Sequence, residues 1–95
     1  MARSIMQTEK ECYVCGSTYG LEEHHVIYGT ANRKLSEKYG LKVWLCHAHH
    51  TGSAGVHFNR DLDMQLKKYA QECFELKYGA NMSFREVFGK NYKEE

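Results

Sequence analysis

The sequence predicts a small α+β domain of two strands and several helices. Two β-forming runs, at 21–28 and 41–46, bracket a helix-forming segment, and a stripe of apolar residues at helical spacing follows residue 59. A chain of 95 residues buries only about 60 to 65% of its unfolded surface, so its core is thin. Four cysteines and six histidines are many for this length, and they offer a way to staple such a core.

The first half of the chain predicts a strand, a helix and a second strand. The run "LEEHHVIY" (21–28) is rich in β-forming residues near its end, and "LKVWLC" (41–46) places three aliphatic residues at alternate positions. Between them, "TANRKLSEKYG" predicts a short helix that Gly40 ends in the left-handed conformation. The next run, "HAHHTGSAGVH", begins as a helical turn, and its glycines indicate that it then becomes a loop.

The second half of the chain predicts helices. Asn59 is a good N-cap for "RDLDMQLKKYAQECFELKY", whose apolar residues recur at helical spacing. Cys73 lies in this apolar stripe, so we interpret it as a small buried hydrophobe rather than a ligand. Ser83 and Glu86 form a capping box that predicts a further short helix.

Composition favours a folded, cytoplasmic protein. Hydrophobic residues make up 42% of the chain, unlike the composition of a disordered segment. No run of about 18 apolar residues predicts a membrane span, and "MARSIMQTEKE" lacks the apolar region of a signal peptide. Disulfides are rare in a reducing cytosol, so metal binding is the leading interpretation of the cysteines.

The net charge of +1 does not by itself indicate a nucleic-acid partner, but the basic residues are unevenly distributed. The segment 33–42 contains Arg33, Lys34, Lys38 and Lys42 against one acidic residue. This pattern fits either a solvated helix face or a surface that contacts phosphates.

Paired short spacings predict a structural zinc site. Cys12 and Cys15 are spaced C-x2-C, and Cys46 and His49 are spaced C-x2-H. Each spacing lets one tight turn direct two soft ligands at the same ion, and two such turns complete a tetrahedron. A closed Cys3His zinc site would replace part of the missing core.

The zinc site uses only His49, and the remaining histidines include His24, His25, His50 and His57. His50 directly follows a predicted zinc ligand, and His24 lies on the strand that is expected to pair with 41–46. These histidines can therefore converge beside the zinc site without sharing it. Successive side chains of a strand point to opposite faces, so His24 and His25 are expected to have different functions. Surface histidines and a second structural site are the alternatives.

The ordered set of "EEHHVIYG" and "LKVWLCHAHH" resembles the HNH, or ββα-metal, nucleases, in the variant whose core is supported by a zinc knuckle. The longer run from His24 to Asp63 is similar to small phage-borne HNH proteins and to the nuclease domain of the RecA-dependent recombination-enhancement family. The similarity covers roughly residues 12–92. It implies one nuclease domain over 1–95, with the knuckles and ββα-metal core at 12–58 and a helical part at 59–92.

By position, the resemblance implies that His24 and His50 bind a catalytic divalent cation, with His57 as a third ligand and His25 as the general base. That cation would be Mg²⁺, Mn²⁺, Ni²⁺ or Zn²⁺. The family also has a middle Asn that orients the base, usually just before the second strand. The corresponding run "KYGLKV" contains no Asn, and Asn32 and Asn59 are the candidates for this role.

The resulting expectation is a DNA endonuclease or nickase of low sequence specificity that leaves 5′-phosphate and 3′-hydroxyl ends. The resemblance implies a bacterial, phage-encoded protein. A neutral histidine can take a proton from water at physiological pH, and an ion held by imidazoles keeps open positions for phosphate and water. Double-stranded, nicked or branched DNA is the expected partner. One alternative is a non-catalytic zinc-stabilised module that binds DNA or protein. Another is a nuclease that cuts only when a recombination or packaging protein delivers the DNA.

Overall fold

The computed structural model describes residues 3–52 and 55–93, and it has the α+β architecture that the sequence predicts. The strands form one two-stranded antiparallel sheet, and a helix connects them. No helix within these described ranges is long and apolar enough to cross a bilayer. The elements in chain order are β1 (Leu21–His25), α1 (Thr30–Tyr39), β2 (Lys42–Cys46), α2 (His47–His50), α3 (Arg60–Tyr78) and α4 (Phe84–Phe88).

The register of the sheet places the two adjacent histidines of β1 on opposite faces. His24 pairs with Val43, and His25 pairs with Lys42. Because side chains alternate along a strand, His24 shares its face with Glu22, whereas His25 lies on the other face. The sheet therefore gives each histidine a different set of neighbours.

Strand β1 ends at His25, earlier than the predicted end at residue 28. Val26 and Ile27 are both fully buried, which simple alternation across a sheet does not produce. The Ser36 hydroxyl of α1 donates to the Ile27 carbonyl at 2.6 Å and accepts from the Ile27 N–H at 3.2 Å. The hydroxyl of Ser36 thus satisfies both backbone hydrogen-bonding groups of Ile27 where the chain leaves the sheet.

The predicted helix ends at Gly40, Asn59 and Ser83 are confirmed. Asn59 Oδ1 accepts a hydrogen bond from the Leu62 N–H at 3.1 Å, and Ser83 caps α4 in the same way. Gly40 ends α1 with a φ of 74°, and a Cβ there would also collide with the Arg3 carbonyl oxygen. This position therefore requires glycine.

The core lies where the sheet, α1, α3 and α4 meet. Phe74 of α3 is at its centre, with ring contacts to Tyr39 of α1 and to Phe84 and Phe88 of α4. Cys73 packs half-buried against the edge of this core, outside any group of metal ligands within the described ranges. The most deeply buried apolar side chains are Cys12, Val26, Ile27, Leu41, Val43, Leu45, Val56, Leu66, Ala70, Phe74 and Phe84.

Candidate functional site

Three cysteines and one histidine, here called the cysteine cluster, converge where the turn before β1 meets the end of β2. Cys12 and Cys15 belong to that turn, Cys46 ends β2, and His49 lies in α2. The Sγ atoms of Cys15 and Cys46 are 3.8 Å apart. His49 Nδ1 lies 3.2 Å from Cys46 Sγ and 3.8 Å from Cys12 Sγ. All four predicted zinc ligands are therefore brought together.

The spacing of the cysteine cluster fits a single tetrahedral ion. Two thiolates bound at about 2.3 Å to a tetrahedral metal are about 3.8 Å apart, which is the separation of the Cys15 and Cys46 sulfurs. A disulfide would need sulfurs about 2.05 Å apart, and all four cysteines of the chain are free. The cysteine cluster could therefore bind a structural metal ion.

The backbone around Cys12 favours the ligand form of its side chain. Burial by itself raises the pKa of this thiol, but hydrogen bonds from the backbone of Cys46, Cys15 and Val14 outweigh burial and lower the pKa to about 6. The thiolate is the form that binds metals. The turn thus stabilises the charge that a metal ligand needs.

His24, His50 and His57, here called the histidine triad, form a second cluster. The ring centroid of His24 lies 5.1 Å from that of His50 and 5.4 Å from that of His57. The centroids of His50 and His57 are 5.1 Å apart. One nitrogen of each ring lies within 4.8 Å of the others. The three histidines implied as ligands of a catalytic ion are therefore neighbours in the structure.

A close backbone approach brings His57 to the other two rings. The Val56 N–H donates to the His49 carbonyl at 2.9 Å, which holds the loop against the end of α2. A Cβ built on Gly55 would lie 2.5 Å from the His50 carbonyl oxygen, so a larger residue would push the loop away. Gly55 therefore sets the position of His57 relative to His50.

His24 contributes a buried nitrogen that lacks a hydrogen-bond partner. Its side chain is only 3% exposed, and Nε2 has no partner within the described residues. Burial, reinforced by the charges that His50 and His57 carry when protonated, lowers the pKa of His24 to about 3. The ring is therefore neutral at physiological pH, and its free lone pair suits a metal ion.

Glu22 orients a second member of the triad. Its carboxylate accepts hydrogen bonds from His50 Nδ1 at 2.6 Å and from His47 Nδ1 at 3.2 Å. Hydrogen bonds from His50 and then His47 lower the pKa of Glu22, so the carboxylate is ionised and only accepts. Nδ1 of His50 thus carries the proton, and Nε2 is left for a metal. A carboxylate behind a ligating imidazole is the usual support of a metal site.

His25 is held on the opposite face of β1. Its Nε2 lies 2.9 Å from Glu37 Oε1 of α1. Lys42, the cross-strand partner of His25, lies 2.8 Å from Glu37 Oε2 and 3.2 Å from Glu23 Oε2. Although burial by itself lowers the pKa of Lys42, its hydrogen bonds to Glu37 and Glu23 outweigh burial and raise it. His25 therefore belongs to a network of one lysine and two carboxylates.

The two asparagines predicted to orient His25 have other partners. The Asn32 side chain donates to the Phe88 carbonyl at 3.4 Å, and Asn59 caps α3. Glu37, a residue that the sequence patterns did not indicate, instead accepts the hydrogen bond of His25.

The histidines of both faces line one cleft of about 530 Å³. Arg33 lies at this cleft, and Lys34 and Lys38 are exposed on the same helix, as a phosphate-contact surface requires. Lys42 departs from the prediction, because it is 4% exposed and its ammonium is paired with carboxylates. The cleft is lined by Glu23, His24, His25, Tyr28, Gly29, Arg33, His50 and His57.

Tyr28 lines the cleft, a position that sequence patterns did not reveal. Its hydroxyl donates to Asp63 Oδ1 at 3.2 Å, and Lys67 Nζ lies 4.3 Å from its ring centroid. Lys67 also pairs with Asp63 at 2.8 Å, one helical turn away on α3. These contacts fasten α3 to the cleft beside the histidine triad.

Comparisons with protein-family models, with curated proteins and with solved structures found no match to this chain. The chemistry of the two clusters and of the cleft is therefore the basis for assigning a function.

Proposed function

We propose that the chain is a metal-dependent DNA nuclease of the HNH, or ββα-metal, class. The observation that carries this proposal is the buried Nε2 of His24, which has no hydrogen-bond partner among the described residues and lies beside the rings of His50 and His57 in a cleft shared with His25 and Arg33. Buried polar atoms without partners are rare, and a cation held by three imidazoles would supply the missing interaction.

The order of the elements supports this proposal. The first triad histidine comes from β1, the second from the helix that follows β2, and the third from the loop after that helix. Two antiparallel strands and a helix thus surround the histidine triad, as the resemblance implies. Cys46 of the cysteine cluster is the N-cap residue of the same short helix, and His49, directly before His50, would fix the position of that helix.

The donor atoms of the two clusters favour different ions. Three sulfurs and one imidazole favour zinc, and a closed set of four ligands is typical of a structural site. Three neutral imidazoles leave coordination positions open, and a divalent cation there would act as a Lewis acid for the phosphate. We propose zinc in the cysteine cluster and a catalytic divalent cation, Mg²⁺, Mn²⁺, Ni²⁺ or Zn²⁺, in the histidine triad.

The remaining groups of the cleft match the other needs of phosphodiester hydrolysis. His25 lines the same cleft as the triad, and its imidazole would take the proton of the attacking water. Arg33 would pair with a phosphate oxygen, and exposed Lys34 and Lys38 would contact neighbouring phosphates. Such contacts do not read bases, so we propose low sequence specificity. With a net charge of only +1, a recombination or packaging protein that delivers the DNA is a fitting partner.

A plasmid-nicking assay tests the proposed activity. We expect the protein, freed of exchangeable ions on a chelating resin, to nick supercoiled DNA only after Mg²⁺, Mn²⁺, Ni²⁺ or Zn²⁺ is added. His50→Ala removes one triad nitrogen and is expected to lower the rate by at least about 100-fold. His47→Ala is the matched control, because His47 lies on the same helix and also contacts Glu22 but is largely exposed and outside the triad.

Equal rates for His50→Ala and the wild-type protein would contradict the proposal. Absence of nicking with every ion, together with retained binding of DNA in a gel-shift assay, would identify a non-catalytic zinc-stabilised binding module instead.

Replacing Glu22 tests the support of the triad separately from catalysis. Glu22→Ala removes the acceptor of His50 Nδ1, and we expect the affinity of the triad for Mn²⁺ to fall by about 10- to 100-fold in calorimetric titration. His47→Ala leaves that hydrogen bond in place and is expected to bind Mn²⁺ like the wild type. An unchanged affinity in Glu22→Ala would show that His50 does not depend on this carboxylate.

A further inference from the structure

We propose that Glu37 is the positioning residue of His25: its carboxylate fixes the neutral imidazole with the proton on Nε2 and leaves Nδ1 as the proton acceptor. This inference rests on the nuclease function proposed above, because the use of His25 as a base is part of that function. The assignment of Glu37 itself comes from the contacts around the His25 ring.

The contact between the two side chains has a defined donor and acceptor. Glu37 Oε1 lies 2.9 Å from His25 Nε2, within ordinary hydrogen-bond distance. Hydrogen bonds from Lys42 and then His25 lower the pKa of Glu37, so its carboxylate is ionised and can only accept. A neutral imidazole has a single N–H, which must therefore be on Nε2. Within the described residues no hydrogen bond to Nδ1 is found, so its lone pair is free.

Lys42 holds the carboxylate in this orientation. Its ammonium contacts Glu37 Oε2 at 2.8 Å, the oxygen that does not contact His25, and reaches Glu23 Oε2 at 3.2 Å. Lys42 lies directly across the sheet from His25 and is only 4% exposed. Burying a lysine is costly unless it is paired. The two oxygens of Glu37 thus have separate partners, one in each strand of the sheet.

The same contacts argue against a third metal site. Glu23, His25 and Glu37 offer three ligand atoms within 4.8 Å of one another. However, the Lys42 ammonium already contacts both carboxylates, and a cation placed among these oxygens would be repelled by it. The group is therefore better suited to orienting His25 than to binding an ion.

Two substitutions separate the role of the hydrogen bond from that of the fold. Glu37→Leu removes the acceptor, whereas Glu37→Gln keeps an oxygen that can accept from Nε2. The ¹⁵N shifts of the His25 ring, recorded at mildly alkaline pH, distinguish a proton on Nε2 from one on Nδ1. We expect Nε2–H alone in the wild type and in Glu37→Gln, and a mixture of the two tautomers in Glu37→Leu.

Nicking kinetics provide the second measurement. We expect kcat to fall by about 10- to 100-fold in Glu37→Leu with little change in KM, and Glu37→Gln to recover most of this loss. Glu75→Leu is the matched control, because Glu75 also pairs with a lysine and a neighbouring polar side chain but lies on α3, outside the cleft. Its kcat and its His25 spectrum are expected to match the wild type.

A single tautomer of His25 in Glu37→Leu, with kcat unchanged, would overturn the role of Glu37. If Glu37→Leu does not fold, Glu37→Gln decides: a wild-type spectrum with most of kcat retained supports the proposal, and a mixed spectrum contradicts it. If the wild-type protein does not nick DNA, the proposed nuclease function fails. The tautomer of His25 then still decides whether Glu37 positions the ring.

Discussion

Cys15→Ser lowers the thermal midpoint of unfolding by about 10 to 20 °C, although Cys15 is exposed and contributes nothing to the apolar core. This is the expected result if the cysteine cluster holds a structural ion. A hundredfold loss of metal affinity removes about 2.7 kcal/mol of stabilisation, and for a domain of this size each kcal/mol shifts the midpoint by about 4 to 8 °C. Without a bound ion, replacing an exposed cysteine is expected to change stability by no more than about 0.5 kcal/mol.

Cys73→Ser is the matched control for this prediction. Cys73 is the one cysteine outside the cluster, and its thiol is half-buried on α3. Circular dichroism melts of both variants, with the zinc content of each measured by a colorimetric chelator, separate loss of a ligand from loss of packing. We expect one equivalent of zinc in Cys73→Ser and less in Cys15→Ser. A Cys15→Ser variant that melts like the wild type would remove the structural metal from the fold.

The sequence was a good guide to those parts of the fold that depend on local patterns. Asn59, Ser83 and Gly40 mark helix ends because capping and left-handed conformations depend on residues close in sequence. The end of β1 was not predictable in this way. It depends on Ser36, which lies nine positions after Ile27 and satisfies the backbone there.

The grouping of the proposed ligands was also predictable, because short spacings such as C-x2-C restrict what a turn can do and the resemblance implied that the members of the histidine triad lie together. The partners of those groups were not. Glu37 is twelve positions from His25 and lies on another element, so only the folded chain brings them together. Lys42 looked like one of several exposed basic residues, yet its place opposite His25 in the sheet buries it. Glu22 was also missed, although strand alternation alone places it on the same face as His24 and could have pointed to it.

The alternation of β1 explains why the adjacent histidines can have separate tasks. Glu22 and His24 point to the face of β1 on which the histidine triad lies, and there Glu22 accepts a hydrogen bond from His50. His25 faces the network of Glu37 and Lys42 on the other side. A shift of one residue in the register would exchange these neighbours and place His25 among the proposed ligands. The pairing of His24 with Val43 and of His25 with Lys42 therefore sets the proposed division between metal ligand and base.

His25→Ala is expected to reduce nicking by about 100- to 10,000-fold, the usual contribution of a general base. The ring is not a member of the histidine triad or of the cysteine cluster, so the affinity for Mn²⁺ and the zinc content are expected to stay at wild-type values. Glu23 and Glu37 remain to pair with buried Lys42, so the thermal midpoint is expected to change little. Loss of activity would thus appear without loss of either ion.

That combination distinguishes His25 from every ligand. His50→Ala is expected to lose activity together with Mn²⁺ affinity, and Cys15→Ser together with stability, whereas His25→Ala loses activity alone. Measuring single-turnover nicking at saturating Mn²⁺ makes the comparison direct, because added ion restores a weakened ligand set but does not replace a proton acceptor. Wild-type nicking by His25→Ala would show that another group takes the proton of water. A fall in Mn²⁺ affinity in the same variant would place His25 among the ligands.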